Sequence, residues 1–123
     1  MSAIRDGRYP VELDKARKLL FDLNVLDEVN DRFGGFDKLG EALQGKDGAK
    51  NLRWLATLMI NEGKEDDEPE MTERQVGKLI HAGNLADVRM AIMRAITIGN
   101  RGKIEEDADD EDDEGNAATG KAK

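Results

Sequence analysis

The twelve residues Lys50–Asn61, KNLRWLATLMIN, constrain the fold more than any other stretch of this chain. Projected at ~100° per residue, Leu52, Trp54, Leu55, Ala56, Leu58, Met59 and Ile60 cover most of a helical circumference. Arg53, Thr57 and Asn61 remain as one narrow polar stripe at i, i+4 and i+8. A helix that is apolar on nearly all sides is stable only when other elements surround it. The segment also holds the single Trp of a chain with three Phe and one Tyr, so much of the aromatic area available for a core is concentrated here. Trp54 is accordingly expected in the core, an interface anchor being the alternative. Whatever else folds has to pack against this helix.

The segment from the N-terminus to Phe21 reads as extended. Tyr9, Val11 and Leu13 alternate with Pro10, Glu12 and Asp14, and Lys18-Leu19-Leu20-Phe21 supplies a second short apolar run. A β-hairpin closed by Asp14-Lys15-Ala16-Arg17 is therefore expected, with a helix starting at Lys15 as the competing reading. Asp6-Gly7 suits a type I′ turn, and Pro10, lacking an N–H, marks its strand as an edge. Leu23 to Phe33 then reads as an amphipathic helix, with Val25, Leu26, Val29 and Phe33 on one arc. Asp22 is placed to cap it, Phe21 and Leu26 to staple it, and Gly34-Gly35 to end it. Phe36, Leu39 and Leu43 behind an Asp37 cap predict a further helix of about two turns. Gly45-Lys46-Asp47-Gly48 reads as a loop.

Beyond the central helix, Gly63 to Glu70 is a charged loop. Thr72-Glu73-Arg74-Gln75 has the T-x-x-Q form of a capping box, with Met71 and Val76 as its staple. The helix it starts carries Val76, Leu79 and Ile80 and is expected to end near Gly83. Asn84 is placed to cap the last helix, with Asp87 at N3. Leu85, Val88, Ile92, Ala95 and Ile96 form its buried face, and Gly99 closes it. No internal repeat is visible. The expected fold is mainly α (α+β): a short N-terminal β-hairpin, then a compact bundle of about five helices over residues 1–104.

Residues 105–123 differ in kind. They hold nine carboxylates against two lysines, about −7 of the chain's net −8, which leaves residues 1–104 at about −1. A run such as EEDADDEDDE repels itself and has no apolar surface to offset the entropy of ordering, so a disordered acidic tail is expected. Its simplest role is to keep a sticky complex in solution; a sharper one is contact with basic patches on a partner. Clustered Lys/Arg for a phosphate backbone is lacking, so no nucleic acid is expected as partner. The absence of cysteine removes disulfides, thiolate metal sites and cysteine nucleophiles together. No run approaches ~18 apolar residues and the N-terminus has no signal-peptide core, so no membrane partner and an intracellular location are expected.

Chemistry-bearing residues are few. His81, the only histidine, has no second histidine to complete a metal set and reads as a helix-surface residue near a C-terminus. The acidic loop Glu62–Glu70 lacks the ligand spacing and central glycine of an EF-hand, which makes a solvated loop the better reading. Gly45–Gly48 lacks the glycine spacing and the Ser/Thr of a phosphate-binding loop. No nucleophile–base pair can be placed, so no catalytic residue, cofactor or metal is expected and the chain is read as a non-enzyme. The feature that stands out is on the last helix. Opposite its core face, Ala86, Met90, Met93 and Thr97 form a second, weakly apolar stripe, set off by Arg89 on one side and by Asp87 and Arg94 on the other. Methionine adapts to irregular apolar partners, so this stripe is a candidate partner-binding surface; a second core face or an oligomer contact is the alternative.

With these elements in order, the chain resembles the tail assembly chaperone family of long-tailed bacteriophages. The likeness begins at Tyr9-Pro10-Val11-Glu12-Leu13 and continues through Leu20-Phe21-Asp22-Leu23-Asn24-Val25-Leu26 to Arg32-Phe33-Gly34. It resumes at Leu52-Arg53-Trp54-Leu55-Ala56-Thr57-Leu58-Met59-Ile60 and again at Met71-Thr72-Glu73-Arg74-Gln75-Val76-Gly77-Lys78-Leu79-Ile80, covering residues 9–98. Each piece is a common pattern; the order and spacing carry the resemblance. It implies a protein of the host cell cytoplasm that binds the tape-measure protein and keeps it soluble while the tail tube polymerises, and that is absent from the mature virion. The tail tube protein is a second candidate partner, and the methionine stripe would receive apolar helical segments of the tape measure. The family often makes a longer, frameshifted product, and Gly102-Lys103 and Gly120-Lys121 are residue pairs that a slippery sequence would encode. Two other classes stand beside this one: a structural virion protein of the tail or head–tail connector, and an acidic DNA mimic, which would need carboxylates ordered on a folded face.

Overall fold

The structure is a computed structural model and describes residues 7–101. Asp6, the acidic run at 105–123 and the Gly-Lys pairs at 102–103 and 120–121 lie outside the described residues. Two antiparallel strands, β1 (Arg8–Glu12) and β2 (Ala16–Leu20), are followed by α1 (Leu23–Phe33), a 3-10 turn (Phe36–Lys38), α2 (Leu39–Ala42), α3 (Gly48–Gly63), α4 (Glu73–Leu79) and α5 (Leu85–Arg101). This is the expected hairpin followed by five helices.

The hairpin turn begins one residue earlier, and β2 two residues earlier, than the spacing predicts. Its register pairs Arg8 with Leu20 and Glu12 with Ala16, so Leu13-Asp14-Lys15 make the turn and Ala16 and Arg17 belong to β2. The cause is Asp14. Its carboxylate accepts the Lys15 backbone N–H at 2.9 Å and both arms of the Arg17 guanidinium, at 3.0 and 2.8 Å. A turn stabilised by its own aspartate and a bidentate arginine outweighs alternation as a guide to register.

α1 has the expected bounds. Asp22 accepts the Val25 N–H at 3.1 Å, and Gly34 adopts φ 85°, from which its N–H reaches the Asn30 carbonyl at 2.9 Å. The two-turn helix expected after it is instead a 3-10 turn running into a four-residue helix, and Asp37 is not its cap. Asp37 sits inside the 3-10 turn, whose cap position is taken by Gly35. α3 starts at Gly48, which the sequence placed in a loop, and runs on to Gly63; Asn51 fixes its first turn by donating to the Ala42 carbonyl at 2.7 Å.

One apolar cluster joins all these elements. Val11 and Leu19 from the hairpin, Val25 and Val29 from α1, Leu39 and Leu43, Leu52, Leu55, Met59 and Ile60 from α3, Val76 from α4, and Val88, Ile92, Ala95 and Ile96 from α5 are all buried in it. α3 lies against β2, and α5 crosses both strands. Gly99, expected to close α5, lies within it. A Cβ there would collide with the carbonyl oxygen of Phe21, so the glycine permits close approach of α5 to the β2–α1 junction.

The polar stripe of α3 is divided among three tasks. Thr57 is buried and donates to the Arg53 carbonyl at 2.7 Å. Asn61 binds the backbone of Met71 in both directions, at 2.9 and 2.8 Å, and so positions the segment leading into α4. Arg53 stays at the surface, 3.6 Å from Glu73. Trp54 is half-buried at the rim of the core rather than within it, edge-on to Phe33 at 5.6 Å and covered by the Arg32 guanidinium at 4.5 Å. The indole thereby keeps one face in contact with a cation and water.

Candidate partner-binding surface

α5 presents the methionine stripe on the outside of the molecule. Met90 is 55% and Met93 46% exposed, and Ala86 and Thr97 are exposed as well. Burial of Val88, Ala91, Ile92, Ala95 and Ile96 on the opposite face fixes this orientation, because one face of the helix is committed to the core. The Thr97 hydroxyl donates to the Met93 carbonyl at 3.0 Å, so the one hydroxyl in the stripe is satisfied within the helix.

The four residues do not share one concavity. Met93 lines a groove of about 440 Å³ with Phe36, Leu39, Leu43 and Ile96. Arg89 crosses its edge and donates to the Leu43 carbonyl at 3.2 Å, which fixes the 3-10/α2 segment against α5. Met90 lines a separate groove of about 360 Å³ with Tyr9, Pro10 and Val11, rimmed by Glu12, Asp87 and Arg94. The surface is thus a ridge of two exposed methionines with an apolar furrow on either side. In the sequence, Phe36, Leu43, Tyr9 and Pro10 carry only the pattern of core or strand residues. Their part in the surface depends on which elements flank α5, and periodicity carries no signal for that.

The other candidate residues lie elsewhere. α4 stops at Leu79, with Ile80 extended at φ −108° and ψ 125°, four residues short of Gly83. Asn84 explains the early stop: it accepts the His81 N–H at 2.8 Å and donates to the Leu79 carbonyl at 2.9 Å. Asn84 does hold the position before α5, its carbonyl accepting the Val88 N–H at 2.9 Å, but its side chain satisfies the end of α4 rather than the first turn of α5. His81 consequently sits in a turn, not on a helix, and its Nδ1 accepts the Gly83 N–H at 3.1 Å.

The acidic loop is largely exposed and makes surface ion pairs with the hairpin. Glu68 pairs with Lys15 at 2.7 Å and Glu65 with Lys18 at 3.4 Å. The hydrogen bond from Lys15 holds the Glu68 carboxyl below its ordinary range, and that from Arg17 does the same for Asp14. Glu62, which begins the acidic segment, is shifted upward because its carboxyl shares a hydrogen bond with Asp22, an effect opposed by the Asn24 amide. Among the described residues no three His, Cys, Asp or Glu side chains converge as a metal site, and no helix is long and apolar enough to cross a membrane.

No protein-family model, curated protein or solved structure matches the chain.

Proposed function

We propose that the protein is a tail assembly chaperone of the long-tailed-phage kind, which binds the tape-measure protein and keeps it soluble during tail tube polymerisation. It acts by contact, without catalysis or cofactor. The resemblance over residues 9–98 suggests the family, and one observation carries the mechanism: Met90 and Met93 are exposed on a rigid helix between two apolar furrows. Two methionines exposed one turn apart, each beside its own furrow, make a patch rather than scattered residues, and their flexible thioethers suit a partner presenting varied apolar segments. The partner is long and helical, so the contact is of the helix-in-groove kind, made by its apolar stripe on the ridge.

Co-expression with a tape-measure protein, followed by measurement of its soluble fraction and by pull-down, tests the reading. The unaltered chain raises the soluble fraction. Met90→Glu with Met93→Glu lowers capture about tenfold or more while far-UV circular dichroism stays unchanged, since both side chains point to solvent. Capture that survives the double substitution removes this surface from the account. Finding the chain in stoichiometric amount in purified mature particles replaces chaperoning with a structural role. A salt titration separates the acidic run from the methionine surface, because a charge contact weakens with screening and an apolar one does not.

A further inference from the structure

A second groove, on a different part of the surface, is sorted by charge. It has a volume of about 560 Å³ and opens between α3, α4 and the turn that leads into α5. Ala49, Leu52, Ile80 and Leu85 make an apolar floor, and Lys50, Arg53 and His81 stand along it. Every titratable side chain lining it is basic. The furrows beside Met93 and Met90 mix signs, with Asp37 and Arg89 in one and Glu12, Asp87 and Arg94 in the other. Residues 1–104 carry about −1, so a groove lined by basic side chains alone is a local arrangement and not a consequence of overall composition.

The lining groups are held in place. Gly77 lets α4 lie directly on the Arg53 stem, since a Cβ there would come within 3.0 Å of its Cδ. Glu73 holds the guanidinium at 3.6 Å in an exposed pair, too weak to withdraw it from another carboxylate. Lys50 is exposed and has no ion-pair partner among the described residues. The Gly83 N–H occupies His81 Nδ1, which leaves the ring proton on Nε2 as a donor.

We infer that this groove docks an acidic amphipathic helical segment of a partner protein, with its apolar side chains on the floor and its flanking carboxylates on Lys50, Arg53 and His81. Charge complementarity selects this occupant: an apolar floor with a cationic rim matches an apolar stripe with acidic flanks. The chain's own run at Glu105–Glu114 matches the rim but has only Ala108 among nine carboxylates to offer the floor. The inference stands apart from the methionine surface and does not require the chaperone reading.

Amide-shift titration of the isotope-labelled full chain tests it with three peptides: a helix with a leucine stripe and glutamate flanks, the same stripe with lysine flanks, and the sequence of residues 105–114. The glutamate-flanked helix is expected to shift Ala49, Leu52, Ile80 and His81 and to bind about tenfold or more tightly than the lysine-flanked one. Lys50→Glu with His81→Glu reverses that preference. Ala82→Trp, at an exposed position lining the groove, blocks both peptides and carries the test independently of charge. Equal binding of the two leucine peptides, or shifts confined to the Met90 and Met93 face, overturns the inference. So does binding of the 105–114 peptide as tight as that of the glutamate-flanked helix, or self-association of the chain that Ala82→Trp abolishes.

Discussion

A methyl group at Gly99 would meet the carbonyl oxygen of Phe21 at less than contact distance, so Gly99→Ala forces α5 away from the β2–α1 junction. Its expected cost is about 1–3 kcal/mol, read as a lower urea midpoint at unchanged m. Gly40→Ala is the control. That glycine lies in α2, where an added methyl would meet nothing outside its own turn of helix within 4 Å, so the substitution is expected to stabilise by up to about 1 kcal/mol. Glu62 gives a residue-scale test in pH. Its shared hydrogen bond with Asp22 raises its proton affinity in the folded state. The native chain then holds this proton more tightly than the unfolded chain. The stability it contributes is complete below the ordinary glutamate value of 4.5 and is lost as pH rises through the higher folded value. Glu62→Gln, which mimics the protonated form, is therefore expected to melt higher than the parent at about pH 7 and level with it below about pH 4. An equal difference at both pH values would disprove the shared-proton account.

At the scale of elements, the hairpin and the acidic loop are fastened by charge where neighbouring elements are fastened by apolar contact. Asp14–Arg17, Lys15–Glu68 and Lys18–Glu65 lie at the surface, and pairs of this kind are weak and readily screened. Asp14 and Glu68 are both shifted downward, so their contribution is present above the ordinary carboxylate values of 3.8 and 4.5 and is lost as pH falls through the lower folded values. Amide hydrogen exchange at the turn residues Leu13 to Lys15 and in the loop Glu65 to Glu68 is expected to quicken with salt and with acid, while exchange in α3 and α5 does not. Lys15→Ala with Lys18→Ala should remove the salt response in the loop Glu65 to Glu68, while the Asp14–Arg17 pair keeps that of the turn; if the loop's response persists, its fastening lies elsewhere.

For the whole molecule, the decisive fact is that a single cluster holds residues from both strands and from every helix. Ile92 is fully buried in it, midway along α5. Ile92→Ala is expected to cost about 2–5 kcal/mol, and helical signal and Trp54 fluorescence should still be lost together, because no part of the described fold has a core of its own. Two separated transitions would show that the hairpin and helices are independent units.

The starts of α1 and α4 were legible from the sequence because their caps are local. Asp22 with Val25, and Thr72 with Gln75, fall within one turn and form the bonds their spacing predicts. The buried faces of α1, α3 and α5 were legible for a similar reason, since an apolar arc has one direction in which to hide. Where α4 and α5 end, and what several polar residues meet, depended on partners outside the element itself. α4 ends where Asn84 can complete it, α5 runs through Gly99 because Phe21 lies against it, and Trp54 stays at the rim beneath Arg32. The same holds for the surface of α5. Its methionine spacing is written in the sequence, but the furrow on each side of it exists only because the hairpin and the 3-10/α2 segment come to rest against that helix.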